Sequence, residues 1–124
     1  MTTTHMVNKE GKVVEGGSSS VQAAAANVDW NSVPGYGVIL ANQPGAASWP
    51  MTAATFSLIP KQANDSAATA EALKFFAWGY AKGGKMAEEL DYVPMPAAVV
   101  TAIEKMWATN IKGADGKPLF VASH

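Results

Sequence analysis

Arginine and cysteine are both absent from this 124-residue chain, and histidine occurs only near its two ends, as His5 and His124. Without cysteine there is no disulfide framework, no thiol nucleophile and no cysteine metal site. Without arginine all nine cations are lysines, so the chain lacks the planar fork that grips phosphate in a fixed bidentate geometry. Such a chain is a poor candidate for a complete oxyanion pocket. Charge of one sign is also lacking. Nine basic and ten acidic residues give a net charge of −1, with no block of either kind, which argues against a nucleic-acid partner. No apolar run approaches the roughly 18 residues of a membrane span, so membrane insertion is not expected. Met1 to Met6 lacks the basic region and apolar run of a secretory signal.

What is present reads as one small α/β assembly, an incomplete sheet flanked by helices. At this length about two thirds of the unfolded surface can be buried. Residues 1–17 are polar and glycine-bearing, with Val13-Val14 short for a strand, and read as a hairpin-like or mobile entry that Gly16-Gly17 break. Ser18, Ser19 or Ser20 can cap a helix through Asn27, with Val21, Ala24, Ala25 and Val28 at helical spacing. Pro34-Gly35 marks a turn before Tyr36 to Ala41, which reads as a short buried strand. Asn42 to Pro50 has the composition of a crossing or turn. Thr52 to Ile59 reads as a second strand that Pro60 terminates.

The C-terminal part is more regular. Asn64, Asp65 or Ser66 can cap a helix whose Thr69, Leu73, Phe76, Ala77 and Tyr80 form one stripe. Gly83 or Gly84 stops it. A short helical piece over Lys85 to Leu90 leads to Tyr92–Pro96, biased toward extended conformations by its prolines. Pro96 suits the first turn of a last helix, lined by Val99, Val100, Ile103, Met106 and Trp107 and ending near Asn110. A turn at residues 113–116 then leads to Leu119-Phe120.

Catalytic candidates are few, because triads and metal-bound water both need a clustered base or ligand set. Glu88 and Glu89 read as a solvated helical face, with Asp91 a turn or cap group, rather than as paired carboxylates or a hard-metal site. Gly83-Gly84-Lys85 lacks the spacing of a phosphate-binding loop and follows a helix, so it reads as a helix stop. Trp30, Trp49, Trp78 and Trp107 read as core. No catalytic, phosphate-binding or metal-ligating residue is assigned, and no cofactor is expected. In Gly45 to Thr52 a hinge role leads over direct ligand contact.

Several segments occur in a fixed order: Asn42-Gln43-Pro44-Gly45, Trp49-Pro50-Met51-Thr52 with Thr55-Phe56, Leu73-Lys74-Phe75-Phe76 with Trp78, and Leu90-Asp91-Tyr92-Val93-Pro94 with Pro96, Val99 and Val100. From about Gly11 to Phe120 the chain resembles the C-terminal part of the phosphate-specific substrate-binding proteins of bacterial ABC importers. It departs from their commonest pattern at Pro60, Ala77 and Gly79.

The resemblance implies part of a type II two-lobed periplasmic binding protein, in which closure of two lobes around a ligand signals occupancy to a permease. Residues 1–48 would end one lobe, including the hinge approach, and residues 49–124 would be the return segment of the other. Asn42, Gln43, Gly45, Trp49, Pro50 and Thr52 would form the hinge. The family's phosphate ligands lie upstream of everything in this chain, which would supply scaffold and hinge.

Several further expectations follow. The implied protein is a periplasmic binding protein and not an enzyme. Its partners are an ABC permease and, only with the missing N-terminal half, inorganic phosphate. An export signal would precede Met1. Alone, the chain is expected to pair with the missing half or self-associate through exposed strand edges. The alternative is a stand-alone oligomeric interaction module derived from this lobe, without phosphate transport.

Overall fold

The computed structural model describes residues 4–121, and the chain divides into two compact units, Met1–Phe56 and Ser57–His124. The fold is mixed α/β, with one two-stranded sheet and four α-helices among the described residues.

The first unit begins with a hairpin, one of the two readings that its polar start allowed. β1 (His5–Val7) pairs antiparallel with β2 (Val13–Glu15), Met6 opposite Val14. The loop closes through the Asn8 amide, which donates to the Lys12 carbonyl at 2.9 Å. Asn8 Oδ1 accepts from the Glu10 and Lys12 amides, the side-chain-to-backbone turn that makes asparagine a loop residue. α1 (Ser18–Ala26) follows, but its N-cap is Gly17 rather than one of the three serines. Ser20 instead serves from inside the first turn. Its hydroxyl accepts from the Gly17 amide at 3.1 Å, the reciprocal half of a capping box whose forward half a glycine cannot supply. Ala24 and Ala25 are buried, as is Trp30, whose indole N–H donates to the Ala25 carbonyl at 2.8 Å.

A 3₁₀ turn, Pro34–Tyr36, leads into the first expected strand. Val38 and Leu40 are buried while Ile39 is 79% exposed, the two-residue alternation of an extended chain. Yet no ladder forms there among the described residues, nor at residues 52–59, the second expected strand. A strand is defined by its hydrogen-bonded neighbour, and neither segment finds one. Leu58 is left 95% exposed.

The second unit is built on three helices. Asp65 is the N-cap of α2 (Ser66–Lys82), its carboxylate accepting from the Ala68 amide at 2.9 Å. Gly83 ends α2, its amide donating to Gly79 at 2.8 Å. α3 (Gly84–Glu89) is a short turn of helix, and α4 (Ala97–Asn110) starts directly after Pro96, which is its N-cap rather than a residue of its first turn. Leu73, Trp107, Ile111 and Phe120 form the buried cluster, with Ile59, Phe76, Ala77, Ile103, Met106 and Leu119 packed around it. Lys112 stitches the ends of this unit together. It bridges Gln62 in parallel and Pro118 antiparallel, so Phe120 is led back onto Trp107, ring edge to ring face at 5.3 Å. Of the four tryptophans, Trp30 and Trp107 are core as expected, Trp49 is half-buried and Trp78 is half exposed.

Candidate functional site

The stretch singled out by sequence, residues 42–52, folds as a closed loop. The Asn42 amide donates to the Pro50 carbonyl at 2.9 Å, which draws the loop ends together. Asn42 itself adopts φ 53°, a left-handed conformation that asparagine tolerates better than most residues. Gln43 Nε2 donates to the Ile39 carbonyl at 2.6 Å. At the centre lies Ser48, fully buried, its hydroxyl donating to the Pro44 carbonyl at 2.6 Å and its amide to the Gly45 carbonyl at 3.0 Å. Compact loops with adjoining ends, packed by their own side chains, behave as rigid units.

The rest of the first unit grips this loop. Asn8 is buried in the hairpin turn, and its Nδ2 shares two hydrogens among the carbonyls of Gly45, Ala46 and Ser48 at 3.1, 3.0 and 3.3 Å. Glu10 accepts from the Gly45 amide at 3.4 Å. The Trp49 amide donates to the Ser20 carbonyl at 3.0 Å, and its indole lies against Gly16, where a Cβ would come within 3.1 Å of the ring. Thr52 is buried, its hydroxyl donating to the Trp49 carbonyl at 2.9 Å. The structure thus brings Asn42, Gln43, Gly45, Trp49, Pro50 and Thr52 together in the first unit, ending four residues short of the division after Phe56.

Asn8 was not foreseen. Its Asn-Lys-Glu-Gly turn is legible in sequence, but nothing in local spacing signals a partner 37 residues away. Replacing Asn8 by aspartate keeps the turn acceptors and sets a carboxylate against three carbonyls. A loss of about 2–3 kcal/mol is expected at neutral pH from denaturant midpoints. The loss should shrink in acid, where the protonated group donates again. Equal losses at both pH values would show that the carbonyl clamp does not matter.

The remaining candidates hold no assembled chemistry. Glu88, Glu89 and Asp91 are exposed, and no group of three His, Cys, Asp or Glu residues positioned to hold a metal occurs among the described residues. Gly83 and Gly84 serve as a helix stop and the start of α3. His5 is exposed with Glu15 at 3.9 Å, and His124 lies outside the described residues. No described buried side-chain N or O atom lacks a partner. Burial, then the Glu104 carboxylate, push the Tyr80 hydroxyl above its usual range. No helix among the described residues is long and apolar enough to cross a membrane.

No protein-family profile matches the chain. Curated relatives do. Phosphate-binding protein PstS of Pasteurella multocida is 45% identical over 113 residues, covering 91% of this chain and 33% of the relative. The protein of the same name from Haemophilus influenzae is 43% identical over 105 residues, covering 85% and 31%. That of Xylella fastidiosa strain Temecula1 is 39% identical over 112 residues, covering 90% and 31%. The chain spans about a third of the length of the curated relatives it matches.

Proposed function

We propose, this chain being a partial-length homologue of phosphate-binding protein PstS, that it is part of a periplasmic phosphate-binding protein delivering inorganic phosphate to an ABC permease. The observation that carries this reading is the identity of 45% sustained over 113 residues. In this reading the chain is the C-terminal portion of a type II two-lobed binding protein. Residues 1–48 end one lobe and residues 49–124 return through the other. The protein binds and releases its ligand and performs no bond chemistry.

The chain's own contribution is scaffold and hinge. Two features support this. The polar groups of the 42–52 loop are engaged with Asn8, Glu10, Ser20 and one another, which leaves that segment suited to anchoring a bend. The absence of arginine fits a part that carries none of the phosphate ligands. Asn42, Gln43, Gly45, Trp49, Pro50 and Thr52 then form the hinge, and their bonds to Asn8, Glu10 and Ser20 give it a rigid side.

Calorimetric titration of inorganic phosphate tests the assignment. The 124-residue chain alone is expected to give no binding heat. Phosphate binding is expected once the chain is mixed with the part of the Pasteurella multocida relative lying outside the matched 113 residues. Binding by the chain alone would overturn the placement of the ligands elsewhere. Silence from both samples would overturn the functional reading.

A further inference from the structure

α2 carries two apolar faces, and only one is covered among the described residues. One face presents Leu73, Phe76, Ala77 and Tyr80, which pack on the α4 side of the core. Tyr80 stacks on Trp107 at 5.9 Å and Phe76 lies 6.4 Å from the same ring. On the opposite face, at about 3.6 residues per turn, Ala68, Ala72, Phe75 and Gly79 fall in line at i, i+4, i+7 and i+11, with Trp78 alongside. Phe75 is 64% exposed and Trp78 50% exposed, and their rings stack on each other at 6.1 Å. Ala68 and Ala72 are exposed, and a Cβ built at Gly79 meets nothing within 4 Å. Glu71, which pairs with Lys74, and Lys82 lie on the same line of the helix as Phe75 and Trp78, one turn before the first and one turn after the second. A surface helix keeps its outer side polar, whereas a helix apolar on opposite sides lies between two layers.

Resting on the function proposed above, we infer that this second face of α2 is the docking surface for the portion of a PstS-type polypeptide that this chain does not contain. The occupant follows from length. The matched relatives are about three times as long as the segment they share with this chain, so two thirds of the polypeptide has its own surface to bury. The face is suited to intimate packing. Two aromatic anchors stand beside small residues that let another backbone approach closely, and exposed aromatics of this size are costly to leave in water.

The test mixes the full 124-residue chain with the unmatched part of the Pasteurella multocida relative and measures their association by sedimentation. Three variants are compared with the parent: Phe75→Ser with Trp78→Ser, Ala72→Glu, and Lys105→Glu on the exposed side of α4 as the control. The parent and control are expected to associate equally. The first two variants are expected to bind roughly 30-fold more weakly, the loss typical of central aromatic anchors, with unchanged circular dichroism. Ala72→Glu keeps both aromatics and a good helix former, so it decides the matter if the double variant unfolds. Equal association by all variants overturns the surface while leaving the functional reading intact. No association by the parent overturns both. Loss of self-association by the chain alone, with binding to the longer part unchanged, makes a second copy the occupant and also overturns the inference.

Discussion

Replacing Trp107 by alanine is expected to cost the second unit about 3–5 kcal/mol, the range for removing a large aromatic from a core. Trp107 is nearly fully buried and is the meeting point of three ring contacts: Phe120 edge-on at 5.3 Å, Tyr80 stacked at 5.9 Å and Phe76 tilted at 6.4 Å. These rings approach from α2 and from the C-terminal segment, so the indole joins elements distant in sequence. Among the described residues the cluster around it has three other buried members, Leu73, Ile111 and Phe120, so few side chains are at hand to fill the space left behind. Against a typical total stability of about 5–15 kcal/mol, the loss is enough to populate the unfolded unit. Trp78 supplies the internal comparison. Half exposed, and with Phe75 as its stacking partner, it should lose less than about 1 kcal/mol on truncation to alanine. Urea denaturation of both variants checks the pair, and equal losses would mean that Trp107 is not the keystone of this core.

The difference between those two tryptophans marks how far sequence patterning reached. The stripe from Leu73 to Tyr80 was legible because its spacing repeats the helical period, and Trp107 shared the face of Val99 and Ile103. The ends of α2 were legible to within a residue, as Asn64, Asp65 or Ser66 and Gly83 or Gly84, because a polar side chain satisfies the orphan amides at a helix start and glycine ends a helix cheaply. Trp78 falls off that stripe, and the rule that aromatics at helical spacing are usually core miscounted it. The segments at residues 36–41 and 52–59 show a different limit. Their β-branched and aromatic content was read as strand, and of that reading only the buried–exposed–buried order of Val38, Ile39 and Leu40 appears among the described residues. Pairing, however, depends on a neighbour that their own residues do not specify. For the candidate loop, the turn composition of residues 42–50 was visible. Its closure by Asn42 and Pro50, and its attachment to Asn8 across 37 residues, belong to tertiary structure and left no periodic trace.

Gly45→Ala is the second large expected effect, and it probes that loop directly. Gly45 has φ 110°, a region that L side chains enter at a cost of about 1–3 kcal/mol. The added Cβ would also lie 2.5 Å from Asn27 Nδ2 and 2.8 Å from Ser48 Oγ. Neither neighbour yields freely. Asn27 donates to the Ala23 carbonyl at 2.8 Å, and Ser48 is fully buried with its hydroxyl committed to Pro44 at 2.6 Å. Displacing Asn27 breaks its bond to the end of α1 and displacing Ser48 breaks one inside the loop, so strain and lost hydrogen bonding together should reach about 3 kcal/mol or more. Gly116 separates the two causes. It has φ 78°, but a Cβ there meets nothing within 4 Å, so its alanine variant should carry only the backbone cost of about 1–2 kcal/mol. Hydrogen exchange then locates the damage. The Ser48 and Trp49 amides, bonded to Gly45 and Ser20, should lose protection in Gly45→Ala and keep it in Gly116→Ala. If both variants lose equal stability and the Ser48 amide stays protected, the loop is not the tightly packed anchor that its hydrogen bonds describe, and the hinge assignment loses its rigid side.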